Sequence, residues 1–331
     1  MKSAINVYRG KLVECRHNAH VAVVDVDKNL LKYYGNPKKI IYARSGVKPI
    51  QAIQVLESGA CEKYNIEGRE IALICSSHSS EKYHVRAVES VLNKAEIDES
   101  KLNCGTHIPF NLDVYKQIIE SGECITQKHN NCSGKHCGML ISAKHMGEDL
   151  DTYLEISHPL QQRIIENLSI LCEYDKSDIL IGLDGCGAPV HALELQSLAY
   201  GFAQMANPKK LPDKEKCINK ITKAMIDFPE MIGGKDRFCT ELMKVCKGRI
   251  FGKMGSQGVY LVGDKEKGIG IAVKIEDGST SATSCLVLEV LSQMKLISKE
   301  ERGKLIKFAT PKILNARGEI VGEMKAEFKL I

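Results

Sequence analysis

Short apolar runs rich in valine and isoleucine open the chain. Ala4 to Val13 and His20 to Val26 interleave with polar positions as paired strands do, and Lys39 to Ala43 reads as a third strand. After Ser45 the period lengthens: Val47, Ile50, Ile53 and Leu56 fall along one side of a helix, and Gly59 marks its end. Proline is tolerated only in the first turn of a helix, so Pro49 pins the helix start near Ser45. From about 82 to 246 amphipathic helical spacing dominates, over 82–93, 112–120, 135–146, 158–173, 191–206 and 214–227. Two stretches interrupt it. Ile71 to Cys75 reads as a buried strand running into Ser76-Ser77-His78, and Ile179 to Leu183 as another before Asp184-Gly185-Cys186-Gly187.

Strand character returns at Arg249 to Met254, Gly258 to Val262 and Gly268 to Ile275, with glycine turns suited to an antiparallel meander. Helices over 279–296 and 299–308 and a hairpin through Asn315-Ala316-Arg317-Gly318 complete the chain. The pattern predicts an α/β (α+β) protein, an antiparallel sheet flanked by helices with a largely helical inserted region. The expected division is residues 1–60 and 247–331 for the sheet-containing domain, built from both termini, and 61–246 for the helical part.

Composition narrows the functional classes. A chain of 331 residues, 44% hydrophobic, buries a substantial core. Its charge of +5 comes from 46 basic and 41 acidic residues scattered along the chain, with 5% aromatics, so there is neither a basic tract nor a stacking platform for nucleic acid. No stretch approaches the ~20 apolar residues that span a bilayer, and the start carries no secretion signal. A cytoplasmic protein is expected, and the thirteen dispersed cysteines suit reduced thiols there.

Three groups of residues could carry chemistry. Ser45-Gly46-Val47-Lys48 sets a hydroxyl and an amine one helical turn apart, and a lysine kept neutral by burial, a helix dipole or a second cation can deprotonate a serine. The bland alternative is a helix cap with a solvated lysine. Lys253-Met254-Gly255 on a late strand and Ser77 after a buried segment supply the other two parts of the S-x-x-K, middle-serine and K-T-G arrangement of penicillin-recognising serine hydrolases. Finally, Cys132 in Asn130-Asn131-Cys132-Ser133-Gly134-Lys135-His136-Cys137 and Cys186 in Asp184-Gly185-Cys186-Gly187 make a partial zinc site, or else a capped helix with ordinary buried thiols. Glu81, His84, His17 and His107 rank as secondary, and Gly233-Gly234-Lys235 lacks the spacing of a phosphate loop.

Together the segments resemble the class 3, rhizobial-type L-asparaginases. The resemblance rests on Arg9-Gly10 with Val13-Glu14 and His17, Ala43-Arg44-Ser45-Gly46-Val47-Lys48-Pro49, Ser77-His78-Ser79-Ser80-Glu81-Lys82-Tyr83-His84, and Cys104-Gly105-Thr106-His107. It continues through His129-Asn130-Asn131-Cys132-Ser133-Gly134-Lys135-His136, Asp184-Gly185-Cys186-Gly187-Ala188-Pro189, Gly233-Gly234 with Arg237, Lys253-Met254-Gly255 and Gly318-Glu319. It implies a fold related to serine β-lactamases and glutaminases, and hydrolysis of L-asparagine to L-aspartate and ammonia. By motif, Ser45 corresponds to the nucleophile, Lys48 to its base, Ser77 to a second serine and Lys253 to a second lysine. Arg44, His78 and Asp184 are the candidates for holding substrate. The resemblance further implies a zinc on Cys132, Lys135 and Cys186, and a homodimer. Ser80 stands where the family usually has glycine, Gln257 where glutamate is frequent and Cys239 where aspartate is common. The rival expectations are a glutaminase, a β-lactamase-like acyl hydrolase, and a non-catalytic zinc-stabilised binding protein.

Overall fold

A computed structural model describes residues 3–331. Five strands open the chain: β1 (Ile5–Arg9), β2 (Leu12–His17), β3 (Ala19–Asp25), β4 (Leu30–Tyr34) and β5 (Ile40–Tyr42). Short helices α1 (Lys48–Gln51), α2 (Ile53–Glu57) and α3 (Ala60–Lys63) precede α4 (Gly68–Ile74), α5 (Lys82–Lys94) and α6 (Leu112–Ser121). Helices α7 (Ser133–Met146) and α8 (Pro159–Cys172) lead to strands β6 (Leu180–Leu183) and β7 (Pro189–Glu194). Next come α9 (Leu195–Ala206), α10 (Pro212–Asp227), α11 (Pro229–Ile232) and α12 (Phe238–Cys246). The meander β8 (Ile250–Gly255), β9 (Val259–Asp264) and β10 (Ile269–Ile275) follows. The chain closes with α13 (Thr280–Gln293), α14 (Lys299–Lys304), α15 (Ile306–Ala309), β11 (Lys312–Leu314) and β12 (Ile320–Ala326).

The chain forms two compact units, one of residues 1–46, 193–207 and 241–331, the other of 47–192 and 208–240. The structure therefore groups 47–60 with the helical part and 193–207 with the sheets. In the first unit, two antiparallel sheets run β11-β12-β1-β2 and β4-β3-β10-β9-β8, so each joins strands from both ends of the chain. Strands β3 and β9 are buried almost throughout, which explains their unbroken apolar character. Helix α9 packs across β3, β9 and β10. Its backbone approaches so closely that a Cβ on Gly270 would overlap the Ala199 carbonyl.

The second unit is organised around α7. Eleven of its fourteen residues are buried, among them Ser133, Lys135 and His136. A helix enclosed on all sides shows no single apolar stripe. Its glycines set the packing against α4: a Cβ on Gly134 would strike the Leu73 carbonyl, and one on Gly138 would come 2.6 Å from Ile74 Cγ2. Helix α7 also touches α2, α3, α5 and α8.

Most expected elements form, with three differences. Ile71 to Cys75 is not a strand but belongs to α4 and its C-terminus. The run is too short for periodicity to decide, whereas Glu70, whose carboxylate accepts from the Glu67 N–H, marks a helix start just upstream. The segment 191–206 begins as β7, whose residues Pro189 to Ala192 pair with β6, and turns helical only at Leu195. Strand β4 pairs with β3 although Lys32 and the doubled Leu30-Leu31 obscure its alternation. Among the described residues no helix is long and apolar enough to cross a membrane.

Candidate functional site

In the first unit the chain leaves β5 and turns sharply. Arg44 has φ +50°, a left-handed conformation that costs a non-glycine residue about 1 kcal/mol and is often kept at functional sites. The 3-10 turn Arg44–Val47 follows, with the Gly46 N–H donating to the Ala43 carbonyl at 3.0 Å. Ser45 is buried within it. This turn lies against β8 and β9: a Cβ on Gly255 would come 2.9 Å from the Ala43 carbonyl oxygen and 3.2 Å from the Gly46 nitrogen. The strand bearing Lys253 thus passes directly beside the turn bearing Ser45. Lys253 is fully buried, and the Met254 carbonyl is among the groups its amine reaches, at 2.7 Å. Arg44 is half-exposed.

The second unit holds the other candidates. Lys48 begins α1, with Pro49 in its first turn, and only 1% of the lysine is exposed. Its Nζ donates to the Ser76 carbonyl at 2.5 Å, to Ser77 Oγ at 3.1 Å and to Cys132 Sγ at 3.2 Å. Ser77 sits just past α4, and Cys132 caps α7, so the glycine-mediated contact between those helices sets the two acceptors around one amine.

Backbone and side-chain bonds fix the approach to α7. Asn130 donates to the Cys104 carbonyl at 2.7 Å and accepts from the Cys132 N–H at 2.8 Å, while the Asn131 N–H donates to His107 Nε2 at 2.9 Å. His78 is fully buried, with Nε2 on Ser133 Oγ at 2.8 Å and Nδ1 accepting from the Ser80 N–H at 3.2 Å. Burial, then the charges of His84 and Lys48, push the His78 imidazole well below its ordinary range. With both nitrogens engaged, its part is to hold residues 78–80 on α7. Ser80 has φ +65°, which accounts for glycine being usual there, and its hydroxyl compensates by donating to the His129 carbonyl at 2.6 Å.

The turn after β6 brings in Cys186. Asp184 and Ala188 close it through a 2.9 Å backbone bond, and Lys135 Nζ donates to Cys186 Sγ at 3.1 Å. The contacts form a chain, Lys48 to Cys132 to Cys186 to Lys135. The Cys132 thiol donates to Cys186, which, with Lys135 adding to it, holds Cys186 as a thiolate down to about 4 despite burial. Cys132, giving that hydrogen bond and buried, is pushed up to about 12. Burial opposes the charge on Lys135, but Cys186 and Cys132 outweigh it and the amine is raised overall, with Asp184 contributing.

These residues could hold a metal. Two soft sulfurs and an amine in mutual contact are a donor set suited to zinc. Among the described residues no group of three or more His, Cys, Asp or Glu is placed to hold a metal ion.

The model of the L-asparaginase II family matches residues 5–326. The chain belongs to the L-asparaginase II family. That membership supports an amide-cleaving hydrolase with a small-molecule substrate. No curated protein matches the chain. Among solved structures it is similar to a β-lactamase from Mycobacterium bovis, at 13% identity over 83% of this chain and 94% of that one, with a TM-score of 0.45. A putative β-lactamase from Bacteroides dorei gives 12% identity over 83% of this chain and 93% of that one, with a TM-score of 0.46. A simvastatin synthase from Aspergillus terreus gives 10% identity over 78% and 86%, with a TM-score of 0.40.

Proposed function

We propose that this member of the L-asparaginase II family hydrolyses L-asparagine to L-aspartate and ammonia through an acyl-enzyme on Ser45. The observation that carries the reading is Lys48: an amine 1% exposed, in contact with Ser77 and three residues beyond Ser45 in one helical stretch. In its neutral form Lys48 takes the Ser45 proton as the oxygen attacks the side-chain amide carbon. The Gly46 N–H is engaged with Ala43, so the Ser45 N–H is the amide of this turn assigned to the oxyanion. Ammonia leaves with a proton relayed by Ser77, and water then cleaves the ester to release aspartate and restore the hydroxyl.

Lys253 supports the serine turn with a second positive charge, and the reading assigns Arg44 and Asp184 to the charged groups of the substrate. The reading includes a zinc on Cys132, Lys135 and Cys186, and a homodimer in the cytoplasm. When bound, zinc would supply positive charge and fix the two sulfurs.

The Lys48–Ser77 contact at 3.1 Å favours one second reading, in which Ser77 is the nucleophile and Ser45 assists it. A panel of L-asparagine, L-glutamine and a chromogenic β-lactam, with Ser45→Ala and Ser77→Ala beside the wild type, separates these. Ammonia from L-asparagine lost in Ser45→Ala, with a trapped acyl group on Ser45 by mass, is the expected result. Normal ammonia release by folded Ser45→Ala overturns the assignment.

A further inference from the structure

Residues 77–81 form an extended segment held along two borders. On one side the His78 N–H donates to the Asn131 carbonyl at 3.3 Å and Ser80 Oγ to the His129 carbonyl at 2.6 Å. On the other, the loop after α11 runs beside it: the Ser77 N–H donates to the Ile232 carbonyl at 2.9 Å, and Ser79 Oγ to the Gly233 carbonyl at 2.5 Å. Glu81 ends this second border. Its Oε1 accepts from the Lys235 N–H at 3.0 Å and from Asn111 Nδ2 at 3.4 Å, and its Oε2 lies 2.8 Å from His84 Nδ1. His84 is fully buried and directs Nε2 at the Glu230 carbonyl, 3.0 Å away.

The glycines of that loop have their explanation here. Gly234 has φ +111°, and a Cβ on it would meet Ser79 Oγ and stand 2.6 and 2.7 Å from the two Glu81 oxygens. The loop can therefore lie flat on the segment only as glycine, with the carboxylate closing over its far end. Lys48 reaches the same segment at Ser76 and Ser77.

We propose that Glu81 is a positioning residue for the reaction: by clamping the Gly233–Lys235 loop onto residues 77–81, it fixes the Ser77 hydroxyl beside Lys48. The inference rests on the amidohydrolase reading above. It assigns Glu81 no contact with substrate. What matters is Oε1, which accepts from Lys235 N–H and Asn111, with Oε2 against His84 Nδ1, and a small displacement of a group that must meet a reacting atom costs one to two powers of ten in rate.

Glutamine separates geometry from charge. Its carbonyl can accept from Lys235 N–H and its amide can donate to His84 Nδ1, so Glu81→Gln should keep kcat within about threefold. Glu81→Ala should lower kcat, referred to the folded fraction measured by circular dichroism, at least tenfold with KM within about twofold. Amide hydrogen exchange at 77–80 and 233–235 should accelerate in Glu81→Ala and stay slow in Glu81→Gln, whatever substrate the enzyme takes. If Glu81→Ala does not fold, Glu81→Asp, one methylene too short to reach both partners, should show the same kcat-selective loss of several fold. An unchanged kcat in folded Glu81→Ala overturns the inference, and so does a Glu81→Gln enzyme as slow as Glu81→Ala, which would mean the charge itself acts. Faster exchange in Glu81→Ala of a protein that releases ammonia from no amide would leave the clamp standing and remove the amidohydrolase reading instead.

Discussion

Lys48 and Lys135 bury their amines in the same unit, each in contact with a cysteine sulfur, yet their surroundings differ in kind. Lys135 faces Cys186, a thiolate that holds its charge in place. Lys48 faces a carbonyl, a hydroxyl and the protonated partner Cys132. Burial by itself does not decide what a lysine does. An amine beside an anion is fixed as a cation or becomes a ligand, whereas one ringed by neutral acceptors can exchange a proton with a hydroxyl.

The strongest way to break this contrast is Lys48→Arg. The guanidinium keeps the positive charge but has no accessible neutral form, so turnover of L-asparagine per folded enzyme should fall about a thousandfold, beyond the loss of about 1–3 kcal/mol in stability that its extra bulk brings to a buried site. An active Lys48→Arg enzyme would place both lysines in one class. Next in size is Cys186→Ala, which removes the anion from Lys135 and leaves a buried ammonium beside Cys132. A loss of about 3 kcal/mol in urea denaturation is expected, together with loss of any bound zinc in elemental analysis. Unchanged stability would show that Lys135 does not depend on the thiolate.

The finest test reads a buried imidazole near Lys135. His191 is fully buried; burial, with Lys135 adding to it, pushes its imidazole down to about 4. The folded protein therefore binds that proton later than the unfolded chain, whose histidines titrate near 6.5. The contribution of His191 to stability is intact above about 6.5 and declines as pH falls toward 4, by about 3 kcal/mol in all. His191→Leu should flatten denaturation midpoints across that window, and an unaltered slope would contradict the assignment.

Much of this arrangement could be read from the residues. The Ser45-to-Lys48 spacing and Pro49 located a helix start, and the meander from 249 to 275 has a plain alternation with turns. Cys132 and Cys186 are far apart in sequence, but their motifs flagged both. What stayed hidden depends on contacts across the chain. Ile71 to Cys75 is apolar enough for either strand or helix, and only its packing on α7 settles the matter. Glu81 looked like an ordinary polar neighbour of Ser77, because the loop it clamps comes from 154 residues later. The reason for glycine at 234 is visible only where Ser79 and Glu81 press on it.

The glycines at 134 and 138 carry a last consequence. Gly134 lets α7 meet the Leu73 carbonyl of α4, and Gly138 makes room for the Ile74 side chain. The spacing of hydroxyl and sulfur about Lys48 is thereby tied to a main-chain contact at one glycine and to the fit of one isoleucine at the other. A single added methyl at either glycine would press α7 away from α4 and so shift the hydroxyl and the sulfur that share one amine.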